Sequence, residues 1–164
     1  MRKRLISETE QASGTGAAGL GGEWLDLETL AHAEISSEDQ HFPIEDALGH
    51  LETEGWRAGV TGPQTIRILF EEPVTIRRIL VHFVEKTTER SQEFALFAQT
   101  AEGGLREIRR QQYTFSPGGS TEELEDFAVE LDEVTGIQLK IDPDRSHDPK
   151  QSKTYATLNR LRLG

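Results

Sequence analysis

From Trp24 onward, apolar and polar residues alternate in short runs that read as strands. "TIRILF" sets Ile66, Ile68 and Phe70 on one face, with Thr65 and Arg67 opposite. "EEPV" then predicts a tight turn, and "IRRILVHFV" follows with Ile79, Val81 and Phe83 in phase. Ile76 is out of phase with them, which predicts a bulge near Arg77 or Arg78. "EFALFAQ" and "LREIRRQQYTF" flank "TAEGG" as a hairpin, "DFAVEL" aligns Phe127, Val129 and Leu131, and "GIQLKI" aligns Ile137, Leu139 and Ile141. "LAHAEISS" supplies a first strand, and Leu161 and Leu163 of "YATLNRLRL" a last one. Helical periodicity is weak, with "PIEDAL" (Pro43 to Leu48) the one helical turn expected. The pattern predicts an all-β antiparallel sandwich.

If each strand crosses the sandwich and reverses, successive connections fall at alternating ends. One end then receives the tight turns 71–74, 100–104 and 132–135. The other receives the long segments 37–64, 85–91, 116–121 and 142–153, which makes it the expected binding end.

Residues 1–22 lack any apolar period, and "ASGTGAAGLGG" has linker composition, so a flexible tail is expected there and a single domain over 23–164. "GTGAAG" (Gly14 to Gly19) spells a dinucleotide-binding fingerprint, but "SETEQAS" before it is too polar for the buried strand that motif requires.

Composition narrows the function classes. The 164 residues carry 29 acidic and 18 basic side chains, a formal charge of -11 that opposes a phosphate backbone, so nucleic acid is not expected as a partner. No cysteine is present, which removes disulfides and thiolate chemistry. The basic start Arg2-Lys3-Arg4 is followed only by Leu5 and Ile6 before polarity returns, and no apolar run is long enough to cross a bilayer. The expectation is a cytoplasmic protein without membrane insertion.

"PIEDAL…GWRAG…GPQTIRILFEEPVTIRRILVHF" resembles the discoidin, or coagulation-factor type C, superfamily of galactose-binding-like domains. Trp56-Arg57-Ala58 stands where that family has a Trp before a strand, and Phe70-Glu71-Glu72-Pro73 where the strand ends in an apolar residue and a Pro turn. "FALFAQTAEGGLREI" is similar to its central hairpin, and "IQLKI…LNRLRL" to its final strand pair. The terminal cysteines of coagulation-factor members are missing, Leu105 replaces a frequent Trp, and no exposed apolar spikes mark a lipid-inserting branch. The resemblance implies a jelly-roll binding module, with carbohydrate the leading ligand class and protein the alternative.

The ligand-binding candidates lie on the long segments. Trp56 offers a face for a sugar ring, although a Trp entering a strand commonly plugs the end of the sandwich. Arg57 can fork onto hydroxyls or a carboxylate. "EKTTERSQEF" sets Arg90 and Gln92 where they would donate hydrogen bonds into a shallow bowl, beside the solvated charges Glu85, Lys86 and Glu89. His41, next to Phe42 in the first long segment, completes the set, with His50 farther along and His32 and His82 expected to be structural.

"DPDRSHD" places Asp142, Asp144, Ser146 and Asp148 at alternate positions, like the opening of a calcium loop. His147 and Lys153 occupy the positions where an EF-hand needs Gly and Glu, so that motif is excluded. No cofactor is expected, and calcium enters only as a nonspecific site at Asp142 and Asp144. "SPGGS" is no nucleophile elbow, and the acidic pairs have no separation that identifies a hydrolase. An enzyme, a small hydrolase domain, is the third reading behind a glycan-binding and an intracellular protein-binding module.

Overall fold

The computed structural model describes residues 1–6, 24–146 and 153–164. The GTGAAG segment and most of the expected tail lie outside these residues, as does half of the 142–153 connection. The chain is an antiparallel jelly-roll sandwich built from β1 (Lys3–Leu5), α1 (Leu27–Leu30), β2 (Ala31–Ile35), α2 (Ile44–Leu48), β3 (Trp56–Arg57), β4 (Gln64–Val84), β5 (Arg90–Thr100), β6 (Leu105–Phe115), β7 (Glu122–Asp142), β8 (Thr157–Leu158) and β9 (Arg160–Leu163).

Two long strands generate both leaves. β4 and β7 pair antiparallel along nearly their whole length, from Gln64 opposite Ile141 to Val84 opposite Glu122. Their first and last parts belong to different leaves. Residues 64–70 of β4 join β2 on one side and 136–141 of β7 on the other, and β5 and β6 extend that leaf. Residues 76–84 of β4, 122–131 of β7 and β9 form the second leaf. Ile66, Ile68 and Phe70 face the same core as Ile79, Val81 and Phe83. The ring centres of Phe83 and Phe94 lie 5.2 Å apart across the interior.

The expected turns at 71–74 and 132–135 are therefore not turns. The ladder shifts register between Leu69 and Val74, between Val74 and Ile76, and between Ile76 and Arg78, so the two strands bend over together without separating. Pro73 sits where the ladder is already interrupted, the position at which a missing N–H costs least. On the partner strand Glu133 takes the left-handed conformation with φ 51°. The bulges bring Ile76 back into the core, where it is fully buried, as its phase required. The chain reverses where alternation says it should, but through a bend.

The ends accordingly sort as expected. Ala101 N–H donates to Glu133 O at one end. At the other, Glu85 N–H donates to Thr121 O, Arg145 N–H to Ser91 O and Gly62 N–H to Thr154 O. The β5–β6 hairpin closes with Gly103 and Gly104 at φ 87° and 80°, which glycine adopts without a Cβ penalty.

The tail expected over 1–22 does not begin at residue 1. Lys3–Leu5 pairs in parallel with Ala33–Ile35 as an edge strand, and Lys3 reaches Glu45 at 2.7 Å. Lys3, Arg4 and Leu5 have no apolar period to announce pairing, because an edge strand whose side chains are all exposed needs none.

Candidate functional site

β3 and β8 form a separate two-stranded ribbon at the loop end, with Trp56 opposite Leu158 and Arg57 opposite Thr157. Alternation along β3 turns the Trp inward and the Arg outward. The Arg57 guanidinium lies over the ring of Tyr155, 4.7 Å from its centre. Together they border a cleft of about 320 Å³, closed on the other side by Thr87 and Thr88 of the β4–β5 loop. Thr154 and Thr157 also line it, and their Oγ1 atoms are buried with no hydrogen-bond partner among the described residues. Buried hydroxyls in folded proteins are nearly always paired. The cleft thus offers an aromatic face, a cation and hydroxyls within one small concavity.

Two sequence candidates need correction. Trp56 is fully buried, and its indole N–H donates to Ser37 O at 3.2 Å. The ring plugs the end of the sandwich and presents no face to a ligand. Arg90 does not enter a bowl either, because it is 1% exposed. Its Nε donates to Glu85 at 3.0 Å, and its Nη1 to Gln92 Oε1 at 2.8 Å and to Pro143 O at 3.0 Å. The guanidinium rests 5.3 Å from the centre of the Phe115 ring. Burial holds its pKa below the ordinary arginine value, and the Glu85 carboxylate beside it opposes that shift.

Gln92, also a candidate, is fully buried and donates from Nε2 to Tyr113 Oη at 2.8 Å. Burial pushes the Tyr113 phenol well above the ordinary tyrosine value, and the Gln92 bond pulls only partly against it. Glu85, Arg90, Gln92 and Tyr113 make a continuous buried polar pillar beneath the loop end. The mixed-charge run at 85–90 is half scaffold, since two of its charges pair inside the fold.

His41 is three-quarters exposed and hydrogen-bonded to Asp39, through its backbone N–H at 2.9 Å and its Nδ1 at 3.3 Å. Those contacts hold the Asp39 carboxyl below its ordinary value, the backbone bond contributing most. Asp39 N–H in turn donates to Arg57 O, so His41 sits beside β3 but outside the cleft lining. Of the five candidates, only Arg57 lines the cleft.

Asp142 and Asp144 turn inward on their own loop. Asp142 Oδ1 accepts from Asp144 N–H at 3.2 Å, and Asp144 Oδ1 from Ser146 N–H at 3.1 Å and Ser146 Oγ at 2.6 Å. Their alternation builds successive Asx turns. Among the described residues no three His, Asp or Glu side chains converge as a metal site, and no helix is long and apolar enough to cross a membrane.

Tyr155, Thr87 and Thr88 were missed. The available signal was Tyr155 itself, one of two tyrosines in the chain and just ahead of the last apolar strand.

No protein-family model matches the sequence, and no curated protein matches it. Solved structures do match. A pectin-binding carbohydrate-binding module shares 15% identity over 83% of this chain and 91% of that one, with a TM-score of 0.55. CpGH89CBM32-4 from Clostridium perfringens, in complex with GlcNAc-α-1,4-galactose, shares 10% identity over 88% of this chain and 96% of its own, at 0.61. A chain in the complex of reduced XRCC1 with the DNA polymerase β catalytic domain matches at 14% identity over 79% and 91%, at 0.51. At such identities the likeness establishes the jelly-roll fold and nothing finer.

Proposed function

We propose that this chain is a non-catalytic carbohydrate-binding module that seats its ligand in the loop-end cleft. The observation that carries the reading is the cleft in which the Arg57 guanidinium lies over the Tyr155 ring beside Thr87, Thr88, Thr154 and Thr157. Sugar hydroxyls both donate and accept, so one ring can satisfy these groups while its apolar face lies on Tyr155. Arg57 supplies a forked donor at the rim. The pectin-binding module and the GlcNAc-α-1,4-galactose complex share the scaffold and support this choice of ligand class.

A glycan array screened with the full chain, followed by titration of the hits against wild type and Tyr155→Ala, tests it. Neutral or charged glycans that lose affinity with Tyr155→Ala, at unchanged melting temperature, are the expected result. A silent array, or hits indifferent to Tyr155, would remove the reading. The second reading, an intracellular protein-binding module, draws on the XRCC1 complex, where a chain of this fold occurs in a protein–protein assembly. A parallel pull-down in which Arg57→Ala abolishes capture of a defined protein would favour it.

A further inference from the structure

We infer a second ligand site, for an acidic saccharide, on the outer face of the larger leaf, with Lys140 as its carboxylate partner. The inference rests on the glycan-binding reading for the ligand class, but its residues are separate from the loop-end cleft.

The register creates the hollow. Lys140 of β7 stands between Thr65 of β4 and Ala95 of β5, and Ala95 pairs in turn with Arg110 of β6. Two small neighbours flank one long cation, so the sheet face is hollow around it. The resulting cavity is about 490 Å³, with Arg67 and Arg110 among its walls. That size lies within the range of small-molecule sites, roughly 300–1,000 Å³.

The charges in it are not equivalent. Arg67 is held by Gln138 at 2.8 Å and faces Glu34 at 3.6 Å. Arg110 binds Glu107 at 2.6 Å and Glu93 at 2.5 Å. Lys140 is exposed and, among the described residues, has no carboxylate partner, its ammonium lying 5.9 Å from the centre of the Phe97 ring. In a chain of formal charge -11, Lys140 is the one cation of this lining without a carboxylate partner among the described residues. A single positive charge suits a monoanion better than a dianion.

The remaining wall chemistry selects the body of the ligand. Glu93, held by Arg110, and Asp142, which accepts from Asp144 N–H, line the same hollow with lone pairs to spare on each carboxylate, and Thr65 adds a hydroxyl opposite Lys140. Acceptors beside a lone cation fit a molecule that carries several hydroxyl donors and one carboxylate, which describes a uronate ring. An acidic peptide brings the carboxylate without the donors.

The test is an NMR titration of the isotope-labelled full chain with glucuronate, its methyl ester, glucose and inorganic phosphate. Glucuronate is expected to shift the amides of Thr65, Ala95 and Lys140, with the ester and glucose much weaker. Lys140→Gln should weaken glucuronate about ten-fold, the loss of one charge-assisted hydrogen bond. Tyr155→Ala should change it by less than about two-fold, as for an independent site. Melting temperatures of both variants, expected to match wild type, exclude misfolding. Unchanged affinity in Lys140→Gln overturns the inference, as does no binding by about 20 mM, a free energy weaker than a specific site gives. Equal binding of phosphate overturns the saccharide assignment. Shifts confined to Thr87 and Tyr155, and abolished by Tyr155→Ala, would transfer the ligand to the loop-end cleft. Loss of glycan-array hits with Lys140 shifts intact would instead sink the cleft and leave this site standing.

Discussion

The pillar and the cleft at the loop end each contain one arginine and one tyrosine, and these are the chain's two tyrosines. In the pillar, Arg90 lies over Phe115, and Tyr113 meets the same ring edge-on at 5.1 Å. In the cleft, Arg57 lies over Tyr155 at the surface. The chemistry is nearly identical and the surroundings differ. Arg90 opens β5 opposite Phe115 of β6, and Glu85 and the Pro143 carbonyl close over its guanidinium, so its side chain is enclosed with its partners. Arg57 sits at the rim in a two-residue strand laddered to β8, with Asp39 and Phe42 bonded to its backbone on the other side. A polar cluster is enclosed where the sheet covers it, and stays open to solvent where a short ribbon holds it at the edge of the fold.

The largest effect expected from this contrast is on Arg90. Arg90→Ala removes a buried charge and strands Glu85, Gln92 and the Pro143 carbonyl. Breaking such a buried pair costs about 3–5 kcal/mol. Phe94→Ala, whose ring is fully buried, should cost a similar amount, about 3–5 kcal/mol. Urea denaturation of the two variants should therefore show comparable losses, with ligand affinity retained by whatever fraction stays folded. Native stability combined with lost binding in Arg90→Ala would erase the distinction between pillar and cleft.

Next in size is the cleft. Arg57→Ala should reduce affinity by about 1.5–3 kcal/mol where its guanidinium makes a charge-assisted contact. Tyr155→Ala should follow, at about 0.5–1.5 kcal/mol for the lost ring face. Both should shift stability by less than about 1 kcal/mol, because the side chains are partly or largely exposed. Calorimetric titration paired with thermal melts separates the two quantities. A melt that collapses in either variant would make the cleft a second pillar.

How much of this was legible follows from what each feature depends on. Ile66, Ile68, Phe70, Ile137, Leu139 and Ile141 alternate because one strand face is buried, and a period of two is local information. The bulge near Arg77 was legible in Ile76 for the same reason. Glu71-Glu72-Pro73 misled because a reversal made by two strands bending together uses turn-like residues, and only the partner strand shows that pairing continues. Arg90 and Gln92 looked like loop donors because burial at a strand's first residues depends on β6, Phe115 and Pro143, all distant in sequence. Tyr155 went unseen because a single aromatic in a connection has no period, and its value comes from Arg57 across the ribbon.

A smaller effect is expected from the two unpartnered hydroxyls. Thr154→Val and Thr157→Val keep the branched shape and remove only the hydroxyl. A buried hydroxyl without a partner carries a desolvation cost, so stability should stay level or rise by up to about 1 kcal/mol. Affinity should fall by about 0.5–1.5 kcal/mol per hydroxyl bonded by ligand. A clear drop in melting temperature with unchanged binding would show that these groups serve the scaffold, and the boundary between the regions would move outward.

The smallest expected effect is silent at neutral pH. Burial raises the folded-state pKa of Tyr113 above the ordinary tyrosine value of about 10 that the unfolded chain retains. The stability linked to its neutral phenol is thus fully present below pH about 10 and is lost as the pH rises through the interval between the unfolded and folded values. The cause is burial in the pillar, so the effect should vanish with the hydroxyl. In wild type, stability measured by urea denaturation should begin to fall above pH about 10, partly with the lysines. Tyr113→Phe should show a shallower fall over the same range, and the difference between the two curves isolates the phenol. An absorbance titration of the folded protein should likewise show one tyrosine withheld until unfolding, a step absent from Tyr113→Phe. Parallel curves for the two proteins would mean that water reaches the pillar, and that Arg90 above it is as open to a ligand as Arg57.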